Sequence, residues 1–264
     1  MYSALFLIML SPKLPPYALD MIPELPNPAE VNGTARSGMT YRIFGTVQPT
    51  LIVDVDSRHN MISDAGGMSW MSASVEMTTG APGGLLAGLA RMVSGGTLFM
   101  ITFNTRTEGQ IAFAADFPGK IVPMELDAGE SIIMHKHAFL ASEASVQLAV
   151  TFTRRFGAGL VGGDGFVLQK VTGPGMAFAE LDGDAIEYNL QVGETLLVEP
   201  GHLAMFDPSV NFDIQMMKGI RNLIFSGEAL FFARLQGPGR VWLNSMTASK
   251  VAHRIGEYLP SSGS

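Results

Sequence analysis

The chain has 264 residues, 47% hydrophobic and 16% charged, with 17 Lys and Arg against 24 Asp and Glu for a formal net charge of −7. That length can bury a substantial core in one large or two small domains. The acidic balance, with no basic run longer than Arg154-Arg155, excludes the basic footprint through which nucleic-acid binders neutralise phosphates. Cysteine is absent, which removes a disulfide scaffold, a thiolate metal centre and a cysteine nucleophile together.

In chain order, the opening "MYSALFLIML" is apolar but carries neither a basic n-region nor a small-residue cleavage site. It is also shorter than the ~20 residues of a membrane span. It reads as neither signal nor anchor, and a cytoplasmic protein is expected. Six prolines then fall between Pro12 and Pro28; proline fixes φ and lacks a donor, which favours extended chain over helix or sheet. Residues 1–38 are therefore expected to be a disordered, dispensable tail, with "NGTARSG" as a joint before Met39.

From Met39 the pattern turns to short alternating strands. "VQLAVTF" puts Val146, Leu148, Val150 and Phe152 on one face, "AIEYNL" alternates Ile186, Tyr188 and Leu190 with polar residues, and "VNFDIQM" does the same with Val210, Phe212, Ile214 and Met216. Period two between Gly-rich turns predicts half-buried strands and an all-β chain. Two short helices are expected as exceptions. One is an amphipathic insertion over 85–93, within "PGGLLAGLARMVSGG". The other is a C-terminal helix with Ala248, Val251, Ala252, Ile255 and Leu259 on one stripe, docked on the last strands.

The chain also repeats itself. "LDAGESIIMHKHAFLASEASV" at 126–146 matches "LQVGETLLVEPGHLAMFDPSV" at 190–210 without a gap, 64 residues on, and Gly173-Pro174-Gly175 then meets Gly237-Pro238-Gly239. A weaker copy lies 71 residues upstream, pairing Val55 with Leu126, Ser74 with Ser145 and Val75 with Val146; beyond it Leu98 meets Phe166 at an offset of 68. Kept turn glycines at fixed offsets predict three tandem β-modules, about 39–115, 116–180 and 181–247, followed by a helix and tail over 248–264.

The stretches "GGLLAGLARMVSGGTLF", "FPGKIVPMELDAGE", "FGAGLVGGDGFVLQK", "IEYNLQVGETLLVEPGHLAMF" and "GPGRVWL" resemble the altered-inheritance-of-mitochondria (mitochondrial biogenesis) family, which includes many uncharacterised bacterial proteins. The resemblance runs from about Met39 to Met246. It implies modules similar to the tryptophan RNA-binding attenuation protein (TRAP), a short double-stranded β-helix or β-sandwich, and it implies no reaction. The RNA and tryptophan sites of TRAP are not implied, since nothing here matches them.

Three constellations bear on chemistry. His135, His137 and Glu143 approximate a cupin metal motif: i and i+2 on a strand share a side, and two imidazoles with a carboxylate make a facial triad. Against this, the repeat places Asp64 and Glu199 at the His135 position and Gly66 and Gly201 at the His137 position, which predicts a turn; His202 would have to be the fourth ligand. "GAGLVGGDG" at 157–165 lacks the Lys-Ser/Thr of a phosphate loop. Residues 83–96 offer apolar side chains between glycines, the pattern of a membrane- or partner-facing element.

The leading expectation is a non-enzymatic scaffold or binding protein without cofactor, catalytic residue or metal ligand, whose partner is itself in a homotrimer or other closed ring. The alternatives are a cupin-like metal-dependent enzyme or small-molecule binder using His135, His137 and Glu143, and a peripheral membrane organiser acting through 83–96.

Overall fold

Strands with unpaired amides are unstable in isolation, so the arrangement of this chain follows from which edges meet. The computed structural model describes residues 30–79, 100–154, 165–216 and 231–258. The helix expected over 85–93 and the glycine-rich run 157–164 lie outside them, as do residues 1–29.

The first stretch holds β1 (Glu30–Thr34), β2 (Thr40–Phe44), β3 (Thr50–Val55), β4 (Met61–Asp64), β5 (Trp70–Met71), β6 (Val75–Thr79), β7 (Met100–Thr105) and β8 (Gly109–Ala114). The second holds β9 (Gly119–Leu126), β10 (Ser131–His135), β11 (Phe139–Glu143), β12 (Gln147–Arg154), β13 (Phe166–Thr172) and β14 (Gly175–Asp182). The third holds β15 (Ala185–Leu190), β16 (Thr195–Val198), β17 (Leu203–Phe206), β18 (Asn211–Met216), β19 (Phe231–Gln236) and β20 (Gly239–Asn244), followed by one helix, α1 (Ala248–Gly256). The described chain is thus all-β apart from α1 and short 3-10 turns at Lys136–Ala138 and Pro200–His202.

Every strand pairing is antiparallel, in four sheets of order β1-β2-β3-β8-β5, β6-β7-β4-β11-β14-β9, β12-β13-β10-β17-β20-β15 and β16-β19-β18. The two six-stranded sheets each join strands of two successive stretches, through β4 with β11 and through β10 with β17. Buried side chains form three cores, one between each pair of successive sheets. The central strands of the inner sheets are therefore covered on both faces and read as continuous apolar runs; β11 and β17 are buried at every position. Edge strands are more open, and β15 is more open than its pattern predicts. Ile186 and Tyr188 are both exposed there because β15 ends its sheet with no core over that face.

The 64-residue correspondence holds at the level of hydrogen-bond register. Leu126 faces Gly175 as Leu190 faces Gly239, and Val55 faces Gly109 in the same way. In the first stretch the offset is 68 where Asn104 and Thr172 face Glu76 and Gln147. It drops to 66 between Gly109 and Gly175, because the turn ahead of Gly109 is two residues longer than Gly173-Pro174.

These glycines have one steric reason. A Cβ on Gly175 would meet Ser145 Oγ at 2.6 Å and Val146 Cγ2 at 3.1 Å; on Gly239 it would meet Ser209 Oγ at 2.6 Å and Val210 Cγ2 at 2.8 Å; on Gly109, Ser74 Oγ at 2.8 Å and Val75 Cγ2 at 3.0 Å. Gly175 and Gly239 also sit at φ of 134° and 140°, where other residues are strained. Gly239→Ala should destabilise the fold by about 2–4 kcal/mol, read as a lower midpoint in urea; a change within error would remove the steric account.

The N-terminal boundary needs correction. Residues 30–38 are not a loose tail: β1 pairs with β2 along its whole length, Ala35 and Met39 are buried, and Arg36 bonds Glu125 through its amide and Asp127 through its guanidinium. The proline-rich run ends at Pro28, and β1 begins two residues later at Glu30. A chain starting at Met39 should unfold about 5 °C or more below one starting at Glu30, measured by thermal circular dichroism. Equal midpoints would show that β1 adds nothing.

Candidate functional site

His135 ends β10 and His137 lies in the 3-10 turn that follows, so the predicted turn is present. Their ring centroids are 5.3 Å apart, and His135 also lies against Phe166 at 5.1 Å. Burial, with the charges of His137 and Lys136 adding to it, pushes His135 down to about 3. It is a neutral imidazole in an aromatic setting, and its Nε2 is buried without a partner.

Glu143 is not brought to this pair. It ends β11, in the neighbouring sheet, and its Oε2 accepts the Met176 amide at 2.7 Å. The same job is done at both corresponding positions: Ser72 Oγ accepts the Gln110 amide at 2.9 Å, and Asp207 Oδ2 accepts the Arg240 amide at 2.8 Å. Each holds the amide just after the crowded glycine. Glu143 is a corner brace that satisfies a buried donor, and its chemistry is shared with a serine. His202 is likewise engaged, with Nδ1 at 2.6 Å from the Asn244 carbonyl and Nε2 at 2.6 Å from Lys250 Nζ. Among the described residues no three His, Asp or Glu side chains are placed to hold a metal ion. The triad that the spacing allowed is thus not assembled.

A cleft of about 420 Å³ lies beside β3, lined by Thr40, Asp54, Asp56, Arg58, His59 and Gln110 among others. Several of its polar groups are already bonded. Asp54 accepts from Thr40 and Gln110, both at 2.7 Å, while Asp56 pairs with Arg58 at 2.8 Å and His59 at 2.9 Å. His59 also reaches the Ser37 carbonyl at 3.1 Å, so the cleft fastens residues 30–38 to the first sheet.

An acidic group at the end of β14 was not foreseen. Glu180 accepts the Asp116 amide at 3.0 Å. Burial pushes Glu180 up to about 8, with the carboxylates of Asp116, Asp182 and Asp64 adding to the rise. Asp64 and Asp182 are each raised to about 6, again chiefly by burial. The corresponding residue to Glu180 is Asn244, whose amide oxygen accepts the Asp182 amide at 3.2 Å; a neutral acceptor suffices for this role.

The apolar stripe of α1 is also placed otherwise than expected. Thr247 caps the helix by accepting the Lys250 amide, and Lys250 pairs with Glu199 at 2.9 Å. None of its residues is buried, and Ile255 is exposed. The helix is tied down by its polar first turn, and its apolar side stays open. Among the described residues no helix is long and apolar enough to cross a membrane.

The fold and these sites define an all-β protein of stacked antiparallel sheets. A crystal structure of a Streptococcus pyogenes protein has the same fold, with a TM-score of 0.68 at 24% identity, covering 84% of this chain and all of that one. An uncharacterized protein of Streptococcus pyogenes serotype M6 is 26% identical over 233 residues, covering 85% of this chain and 92% of the relative. The family model described as mitochondrial biogenesis AIM24 matches residues 41–246, and the chain belongs to that family.

The raised carboxyl gives a test with a definite sign. Glu180 keeps its proton in the fold while the unfolded chain has lost it, so stability is fully present below the ordinary value of 4.5 and falls as pH rises towards about 8. Glu180→Gln should therefore raise stability at pH 8 by about 2 kcal/mol and leave it nearly unchanged at pH 4, by urea titration at both values. An equal gain at both would mean that ionisation plays no part.

Proposed function

We propose that this chain is a non-enzymatic assembly protein: three tandem TRAP-like modules that build a scaffold or binding ring by joining sheets edge to edge. The observation that carries the reading is that its inner sheets are made across stretches, β4 with β11 and β10 with β17, in matching register. Joining one stretch to the next by backbone pairing is the device by which this fold grows, and a device of that kind works equally between chains. The apolar composition, 47% hydrophobic against 16% charged, supports an interface-rich protein.

Three chains closing head to tail would place nine modules in one ring, and a soluble protein acting in the cytoplasm fits the reading. Nothing in the His135, His137 and Glu143 geometry favours the metal-dependent alternative, and the membrane alternative rests on residues 83–96, outside the described chain. Light scattering of the full chain at micromolar concentration should give a mass near three times that of one chain. A monomer that stays monomeric on concentration would overturn the reading.

A further inference from the structure

The inner sheets show what an edge needs, and among the described residues two edges lack it. Each six-stranded sheet is two three-stranded halves: β6-β7-β4 meets β11-β14-β9, and β12-β13-β10 meets β17-β20-β15. The fourth sheet, β18-β19-β16, is a first half alone, and the strands β5-β8-β3 of the first sheet are a second half alone. By the fixed offsets, β16 corresponds to β4 and β10, and β5 corresponds to β11 and β17.

The open edges carry the mark of the missing partner. Trp70 of β5 is 54% exposed, whereas its counterparts Ala141 and Met205 are fully buried. Leu197 of β16 is 52% exposed, whereas its counterpart Ile62 is 2% exposed. β5 and β16 contain no charged residue and no proline, while every other strand at a sheet edge carries a charge: Glu30, Glu76, Lys120, Arg154, Glu187 and Asp213. Charges and prolines are how free edges are kept from pairing. The two edges without them are also the two that would complete a six-stranded sheet.

We infer that β16 of one copy pairs antiparallel with β5 of a second copy, with Val198 facing Trp70 and Leu197 facing Met71. The register is copied from both internal junctions: Ser63 faces Ala141 and Ile62 faces Ser142 at one, and Met134 faces Met205 and Ile133 faces Phe206 at the other. The inference rests on the proposal that the chain works by assembly, and names the surfaces that meet. Glu199, just after β16, holds α1 through Lys250, so the first turn of that helix stands beside the junction.

The experiment uses the full chain. Leu197→Lys and Trp70→Lys change side chains that are more than half exposed in the single copy, so circular dichroism should be unchanged while light scattering drops to the mass of one chain. Because the chain has no cysteine, mixing a Met71→Cys chain with a Leu197→Cys chain should give, on oxidation, a disulfide-linked pair on a denaturing gel that neither gives alone. A native oligomer whose mass survives both lysine variants, with no cross-link in the mixture, overturns the assignment of these edges and leaves the assembly proposal standing. A native monomer overturns both. A cross-link confined to single chains of a Met71→Cys/Leu197→Cys double variant would put β16 on β5 of the same copy and overturn the pairing between copies.

Discussion

Everything in this fold depends on the backbone hydrogen bonds of two short junctions, β4 with β11 and β10 with β17. Each has only two or three facing residue pairs, too few to hold two domains together by themselves. They act by fusing three-stranded halves into six-stranded sheets, and a six-stranded sheet can then shed water from both faces. The three cores follow from that, since each is bounded on at least one side by a six-stranded sheet that no single stretch could have built.

That arrangement accounts for the polar residues that are buried. The amide after each crowded glycine bonds a side chain, buried at Met176 and solvent-accessible at Gln110 and Arg240. Ser72, Glu143 and Asp207 are three different answers to one unmet donor. Glu180 and Asn244 are two answers to a second. In the glutamate's case the acceptor brings a proton with it, because burial makes the ionised form costly.

Much of this was legible in the sequence, for reasons that can be named. Alternation and turn glycines are local, so the all-β class, the turn at His135 to His137 and the matching of 126–146 with 190–210 could be read directly. Pairing between stretches is not local. Nothing in "FLASE" says that its partner is "MISD", so the spacing leaves open a ligand role for Glu143 that the fold replaces with a brace. Ile186 and Tyr188 alternate correctly and are still exposed, since alternation reports a strand and not what covers it. Residues 30–38 were missed because a strand of "EVNGT" has no apolar face to announce it; neighbours hold it through Arg36, Ala35 and Met39. Trp70 could have been found by arithmetic alone, as the bulky residue where its counterparts are alanine and methionine.

The identity of register at both junctions has a consequence during synthesis. A ribosome that has released residues up to 182 holds a nascent chain whose β10 is waiting for β17, while β17 is still to be translated. To that waiting strand, β11 of a neighbouring nascent chain, or its β5, offers the same backbone pattern. Proteins that reuse one joint are open to swapped pairings of this kind. The correct partner wins by arriving on the same chain, where a connection of a few dozen residues keeps its effective concentration far above that of any neighbour. Order of emergence is then part of how this sequence specifies its structure.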